Sequence, residues 1–399
     1  MSDAEDFGQA IERGELLERI TPLTDFEEPY RFEVDSDLKA LLLEAQAQGA
    51  SDIFIQPDMP VVAMIEGHMK ALTRRVVDDG EVVTLLTWLS NDRDTARTDI
   101  LAGHAVNTRY ELFDPVRKDA RGAKVRYPLR VNASPIQYHS STSCQIVART
   151  IPQDPPLPEQ VGLTPELMSL MTPRDGIIYV VGVTGSGKST TLASVARYIM
   201  ENDTPIKGNI VTAEEPIEFN FGNIHSAHSI ITQSQIGLHF KSYPDSNREA
   251  VRRKPALIIV GELRDRESIE TALEASNTGH PVMGTAHATN VALTARRLIS
   301  RFPSEERETA IYDIIESTRL IVAQRLVPGV SGRRVAAREY LAFTDEVKDQ
   351  LVDLTTMGLV SRKLRQLTHE AGHSFAKEGE RLLAEGKITA EVARELATS

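Results

Sequence analysis

The segment IIYVVGVTGSGKSTTLASVARYIM, residues 177–200, constrains this chain more than any other. Five strand-like apolar residues run into Gly182-Val-Thr-Gly185-Ser-Gly187-Lys188-Ser189, and a helical pattern starts directly behind them. Strand, glycine-rich turn, helix is the context in which this spacing wraps a phosphate. The glycines let backbone N–H groups close around the oxygens, and the helix N-terminus adds positive potential. Lys188 is placed to reach the β and γ oxygens and the Ser189 hydroxyl to ligate Mg²⁺. Gly182, Thr184, Gly185, Ser186, Gly187 and Thr190 complete the expected nucleotide-binding set.

The flanking sequence predicts a sheet around this turn. Apolar runs Ile177–Gly182, Asn209–Ala213, Leu257–Gly261 and Pro281–Thr285 alternate with helical segments over 188–201, 245–253, 266–277, 290–300 and 305–316. That alternation implies an α/β domain over 164–343, with a mainly parallel sheet covered by helices on both faces. Upstream, prolines cluster in IPQDPPLPEQ, which continues neither a helix nor a central strand, so 151–163 is read as a linker. Residues 36–150 are a mixed α/β domain: a helical face of Leu38, Leu41, Leu42 and Ala45, capped by Ser36 or Asp37 and stopped at Gly49, precedes short alternating runs at 52–56, 61–66, 125–131 and 144–150. Residues 344–399 carry helical patterning only. The first 35 residues are an acidic arm: nine acids against two bases fall within residues 1–30, with at best a short helix near 8–19.

Composition narrows the class. At 399 residues, 45 Lys plus Arg, 57 Asp plus Glu and a net charge of −12, the chain has an ordinary globular make-up and not that of a nucleic-acid-coating protein. The cluster Arg248, Arg252, Arg253 and Lys254 is a local basic face; direct nucleic-acid binding is not expected. A lone cysteine, Cys144, allows neither an intramolecular disulfide nor a four-cysteine zinc site and fits a reducing cytoplasm. It reads as a core residue, and Trp88 as packing of the first domain. No apolar run reaches the ~18 residues of a membrane span, and the acidic N-terminus is not a secretory leader.

Three further motifs carry chemistry. In ALIIVGELRD an apolar strand ends in Glu262, and sheets of this class place ligands at the carboxyl ends of their strands. There Glu262 could hold a Mg²⁺ water or orient an attacking water; the plainer reading is a helix-entry acid. The strand NIVTA runs into Glu214, Glu215 and Glu218, suited to Mg²⁺-water coordination or to a solvated acidic turn. TGHPVMGTAH brackets a strand with His280 and His287, either of which could hydrogen-bond a phosphate. A histidine at a strand end is also commonly a local hydrogen-bonding residue.

Taken in order, VTGSGKST, TAEEPIEF, ALIIVGELRD and TGHPVMGTAH resemble the Walker A loop, Asp box, Walker B strand and His box of the type II/IV secretion ATPase superfamily, which includes PilT pilus-retraction motors and DotB-like ATPases of type IVB secretion and IncI-type conjugation. The likeness extends to GASDIFIQPDMPV, LRVNAS, IVARTIP and LIVAQRLVPG, and so spans roughly 36–340. It implies a RecA-like P-loop ATPase domain with a PAS-like N-terminal domain and a helical C-terminal appendage. By the same resemblance Glu262 is the catalytic carboxylate, Glu214 sits at the Asp box, His280 and His287 form the His box, and Ser189, Glu214 and Glu262 serve Mg²⁺. Arg130 and Arg149, with Arg126 a weaker candidate, match arginines used near the γ-phosphate. ATP, a homo-hexameric ring, cytoplasmic residence and peripheral attachment to an inner-membrane secretion or conjugation complex are further implications. Glu215 stands where many relatives have Asp, and Gln235 where PilT-type chains have an acid. DEVKDQLVDL occupies the place of the retraction motors' AIRE-type signature. These departures, with RRKP and GHSFAKEGERLLAEGKIT, point towards secretion or conjugation, with pilus retraction as the alternative.

Overall fold

The computed structural model describes residues 27–65, 68–118, 122, 124–151 and 154–398, so the helix expected near 8–19 and most of the acidic arm lie outside the described residues. The chain divides between Gln153 and Asp154 into two units.

In the first unit a six-stranded antiparallel sheet, ordered β3-β2-β1-β6-β5-β4, is built from β1 (Ala50–Ile55), β2 (Val62–Ile65), β3 (His68–Ala71), β4 (Val106–Lys118), β5 (Lys124–Tyr138) and β6 (Ser141–Thr150). Along β5, Leu129, Val131 and Ala133 are buried while Arg130 and Asn132 between them are not, the period-two pattern of a sheet with one covered face. Helices α1 (Asp35–Ala47), α2 (Asp79–Leu89) and α3 (Ala96–Leu101) supply the cover, packing Leu38, Leu42, Leu85 and Leu86 on Ile53, Val131, Ile146 and Ala148. Cys144 belongs to this core, where burial pushes its thiol up to about 12, and Trp88 packs against it. Neither expected cap starts α1: the helix begins at Asp35, behind Val34, with no side-chain cap. Asp35 and Asp37 instead place negative charge on the first turn, favourable to the helix dipole.

The second unit is a seven-stranded sheet ordered β13-β12-β7-β11-β10-β8-β9. Its strands are β7 (Ile177–Val181), β8 (Gly208–Glu214), β9 (Ser229–Gln235), β10 (Pro255–Val260), β11 (Val282–Ala286), β12 (Thr318–Pro328) and β13 (Arg334–Ala342); all pair in parallel except β13, antiparallel to β12. Every residue of β7 is buried, because both faces are covered. One face, with Tyr179, Val181, Val211 and Val260, meets α6 (Tyr243–Ala250), α7 (Arg266–Asn277), α8 (Val291–Ile299) and α9 (Arg307–Ser317). The other, with Ile178, Val180, Ile210 and Ile259, meets α4 (Pro165–Leu170) and α5 (Lys188–Glu201). Helices α10 (Asp345–Asp349), α11 (Met357–Glu370), α12 (Phe375–Ala384) and α13 (Ala390–Ala397) complete the chain, and Leu364, Phe375 and Leu382 join the first of these cores. No helix among the described residues is long and apolar enough to cross a membrane.

Candidate active site

The loop that leaves β7 is shaped by close approach. A Cβ on Gly182 would stand 2.3 Å from the Ser186 hydroxyl and 2.5 Å from the Gln324 carbonyl, so only glycine fits. Gly187 takes the left-handed conformation (φ 82°) and serves as the N-cap position of α5, leaving the first-turn N–H groups for an anion. Lys188, half-buried, folds back to donate to the carbonyls of Gly182 and Val183, both at 3.0 Å. Burial pulls its pKa down, and the charges of Glu262 and Glu218 oppose that shift. Thr184, Gly185 and Ser189 are exposed and Thr190 half-buried at the mouth, while the Ser186 Oγ is buried without a partner.

Parallel pairing delivers the other groups to the same edge of the sheet. Val181 is level with Ala286, Val260 with Gly284, and Val260 with Ala213, so the residues that follow each strand emerge beside the loop. Glu262 follows β10, and its Oε1 lies 3.3 Å from the Nε2 of His287, which follows β11. Glu214 ends β8; its Oε1 accepts from the Thr212 hydroxyl at 2.6 Å and the Gln233 amide at 3.0 Å, and its carboxylate also takes the Glu218 backbone N–H. Burial pushes its carboxyl above the usual range against those three hydrogen bonds. Glu215 turns outward to Arg264, 3.4 Å away.

His280 is not brought to this edge. It precedes β11, whose first residue Val282 pairs with Ile177 at the start of β7, so His280 and His287 lie at opposite ends of a strand. At ~3.3 Å per residue the seven-residue step leaves His280 near the far side of the sheet. Its Nδ1 lies 3.1 Å from the Thr278 hydroxyl and 3.3 Å from the Ala275 carbonyl, so within this unit it closes the end of α7, away from the Lys188 loop. The basic face is partly neutralised: Arg248 pairs with Glu267 and Asp245, and Arg252 with Glu249.

In the first unit, register assembles a row. Arg109 on β4 is directly opposite Arg130 on β5, Arg130 opposite Arg149 on β6, and Arg149 opposite Asp52 on β1. Directly opposed residues of antiparallel strands share a face, so three guanidinium groups cross the sheet in line. Arg149 pairs with Asp52 at 2.6 Å and Arg109 with Glu111 at 3.2 Å. Arg126 lies further along β5, 3.7 Å from Glu111 and over the Phe113 ring.

Residues 31–351 match the family described as type II/IV secretion system protein. The chain belongs to that family. Among solved structures, the ATPase DotB of Yersinia pseudotuberculosis is 46% identical, with a TM-score of 0.78 over 94% of this chain and 96% of that one. DotB of Legionella pneumophila is 36% identical, with a TM-score of 0.85 over 95% and 99%. The type IV pilus retraction ATPase PilT of Pseudomonas aeruginosa is 31% identical over 314 residues, 78% of this chain and 84% of PilT. Both DotB alignments include nearly the whole chain.

The secretion-family motifs account for the edge of the sheet but not for what supports it. Gln324 on β12 donates from Nε2 to the Ser186 carbonyl at 2.5 Å, and its Oε1 accepts from Thr191 of α5 at 2.7 Å and from Arg338 of β13 at 2.8 Å. Arg109 lies outside every motif, Gln324 falls within LIVAQRLVPG with no role assigned to it, and Arg338 lies outside them all. Only register could have found the first, and a polar residue inside the apolar run LIVAQ was the sole signal for the second. The edge suits a Mg–nucleotide: a glycine turn leading into a helix N-terminus, an unpartnered buried hydroxyl, and hard oxygen donors on Ser189 and Glu262. Among the described residues no cluster of three or more His, Cys, Asp or Glu forms a self-sufficient metal cage. Mg²⁺ does not need one, since it is usually held by one or two carboxylates together with substrate phosphates.

Proposed function

We propose that this chain is a Mg²⁺-dependent ATPase that works as a homo-hexameric ring at the cytoplasmic face of an inner-membrane type IV secretion or conjugative transfer machine. The observation that carries the enzymatic part is the convergence at one sheet edge of the Lys188 loop with Glu262 and His287. Lys188 leaves its two carbonyls to take the β and γ oxygens, and the N-terminus of α5 holds the same charge. Ser189, with Glu262 and Glu214 through water, would hold Mg²⁺, which supplies charge neutralisation for the phosphates. Glu262 orients a water for in-line attack and receives its proton as the new O–P bond forms and the β–γ bridging bond breaks, with ADP as leaving group. His287 fixes the carboxylate through its 3.3 Å contact. Arg130 and Arg149, from the outward face of their sheet, would meet the charge that develops on the γ-phosphoryl oxygens.

Identity over the whole chain favours the secretion and conjugation branch, 46% and 36% to the two DotB chains against 31% to PilT. A pilus-retraction motor is the second reading, on the strength of that PilT relative. Phosphate release from ATP by the purified chain tests the enzyme. Lys188→Gln should reduce turnover to background, and parental turnover in that variant would remove the site assignment. Identification of the membrane proteins that co-purify with the chain decides between the two machines.

A further inference from the structure

The phosphate-binding loop is braced from behind by two buried polar side chains. Parallel pairing sets Ala323 of β12 level with Val181 of β7, so the next residues, Gln324 and Gly182, lie side by side. Gln324 is 2% exposed and touches the loop at both ends: its carbonyl crowds Gly182, and its amide nitrogen lies 2.9 Å from where a Gly187 Cβ would stand. Directly opposite Gln324 in the β12–β13 ladder is Arg338, 3% exposed. Its Nε donates to Gln324 Oε1, and its other nitrogens donate to the carbonyls of Val161 at 2.8 Å and Gly162 at 2.9 Å, just before α4.

This arrangement has a direction. Arginine only donates, so the glutamine oxygen must face Arg338 and Thr191, and the amide N–H groups are left for the Ser186 carbonyl. A buried cation is costly unless hydrogen-bonded, and the acceptors named are neutral oxygens; burial lowers the Arg338 pKa to about 10, which keeps it charged at neutral pH. We propose that Gln324 and Arg338 are positioning residues for the nucleotide, turning the Ser186 carbonyl to the rear of the loop so that its N–H groups face the phosphates before the ligand arrives. Preorganisation of this kind is read out in affinity, because the loop no longer has to be ordered on binding. The proposal rests on the nucleotide reading of the loop.

Two variants of the full chain separate positioning from simple stability. Gln324→Glu keeps the shape and strengthens the pairing with Arg338, but presents an anion to the Ser186 carbonyl. The double variant Gln324→Met, Arg338→Met removes both polar side chains but also deprives the Ser186, Val161 and Gly162 carbonyls and the Thr191 hydroxyl of a partner, so its affinity is read beside its melting temperature. Gln324→Glu is expected to melt close to the parent and the double variant somewhat below it, and both to bind mant-ATP about 10-fold more weakly where they are fully folded, the scale of one lost buried hydrogen bond. KM should rise with Kd, and kcat at saturating ATP should change less. Parental affinity in a folded variant would overturn the proposal, as would an affinity loss that only tracks the loss of folded protein. Lys188→Gln is measured alongside: if it retains parental turnover, the nucleotide reading itself fails, whereas its inactivity beside unimpaired Gln324 variants sinks the brace alone.

Discussion

The two sheets of this chain present their chemistry in different ways. In the parallel sheet the functional groups stand at strand ends, each a residue or two after an apolar run: Gly182 after β7, Glu262 after β10, His287 after β11. In the antiparallel sheet the candidate groups stand within strands, and Arg109, Arg130 and Arg149 become neighbours only through pairing. A parallel strand buried on both faces has nowhere else to expose a polar side chain, while a sheet covered on one face has a whole open surface. The first arrangement marks each group by a contiguous motif at a strand end; the second leaves single residues on segments about twenty residues apart.

The largest effect expected comes from the strand-end group. Glu262→Gln preserves shape and removes the carboxylate's basicity, and should lower ATP turnover on the order of 10²–10⁴-fold, the usual contribution of general acid–base catalysis. Binding of mant-ATP should persist, because Lys188 and the loop are untouched. Lost binding would show that the Glu262–His287 contact holds the strand ends together, and would assign both residues to structure.

The arginine row should respond less in rate. Arg130→Gln is expected to lower kcat on the order of 10²–10³-fold, as for removal of a preorganised charge-stabilising group. The melting temperature reads separately whether repulsion within the row, where Arg130 is opposed by arginine on both sides, outweighs the other interactions of Arg130. Activity at the parental level would reduce the row to a surface feature. A comparable loss in Arg109→Gln would extend the functional group to a residue that register alone identifies.

The same contrast explains what could be read from the sequence. The apolar runs of β7, β8, β10 and β11 and the helices between them are periodic and uninterrupted, so the parallel core is legible. Strand β9, SIITQSQ, is a polar edge strand and gives no such signal. The full extent of β4 and β5, thirteen and fifteen residues, is hidden because one face is solvated. His280 and His287 belong to one sequence motif, yet a five-residue strand between them carries the pair to opposite ends of the sheet. Sequence proximity is a poor guide along a strand and a good one around a turn. Gln324 and Arg338 each stand beside another polar residue, Arg325 and Glu339, so the local pattern does not single them out, and their meaning depends on pairing fourteen residues apart in the chain.

The smallest effect probes the strand end that is most deeply enclosed. Burial raises the pKa of Glu214 above its unfolded value, so folding favours the neutral acid. The stabilising contribution of that protonation is complete below the unfolded pKa and disappears as pH rises through the folded one. Above the folded pKa the chain carries a buried carboxylate, compensated by Thr212, Gln233 and the Glu218 N–H. Glu214→Gln should then melt a few degrees above the parent on the alkaline side of the folded pKa in the absence of nucleotide, and the difference should shrink as pH falls to the ordinary carboxylate range. Thermal melts across that interval, repeated with Mg²⁺ and ATP, separate the two uses of the group. If Glu214 serves the metal through water, the stabilisation that Mg–ATP gives the parent should be smaller in the variant, because a neutral amide attracts hydrated Mg²⁺ less than a carboxylate does. An equal Mg–ATP shift in both proteins would leave Glu214 as a packing acid, and the chemistry of the edge to Lys188, Ser189 and Glu262.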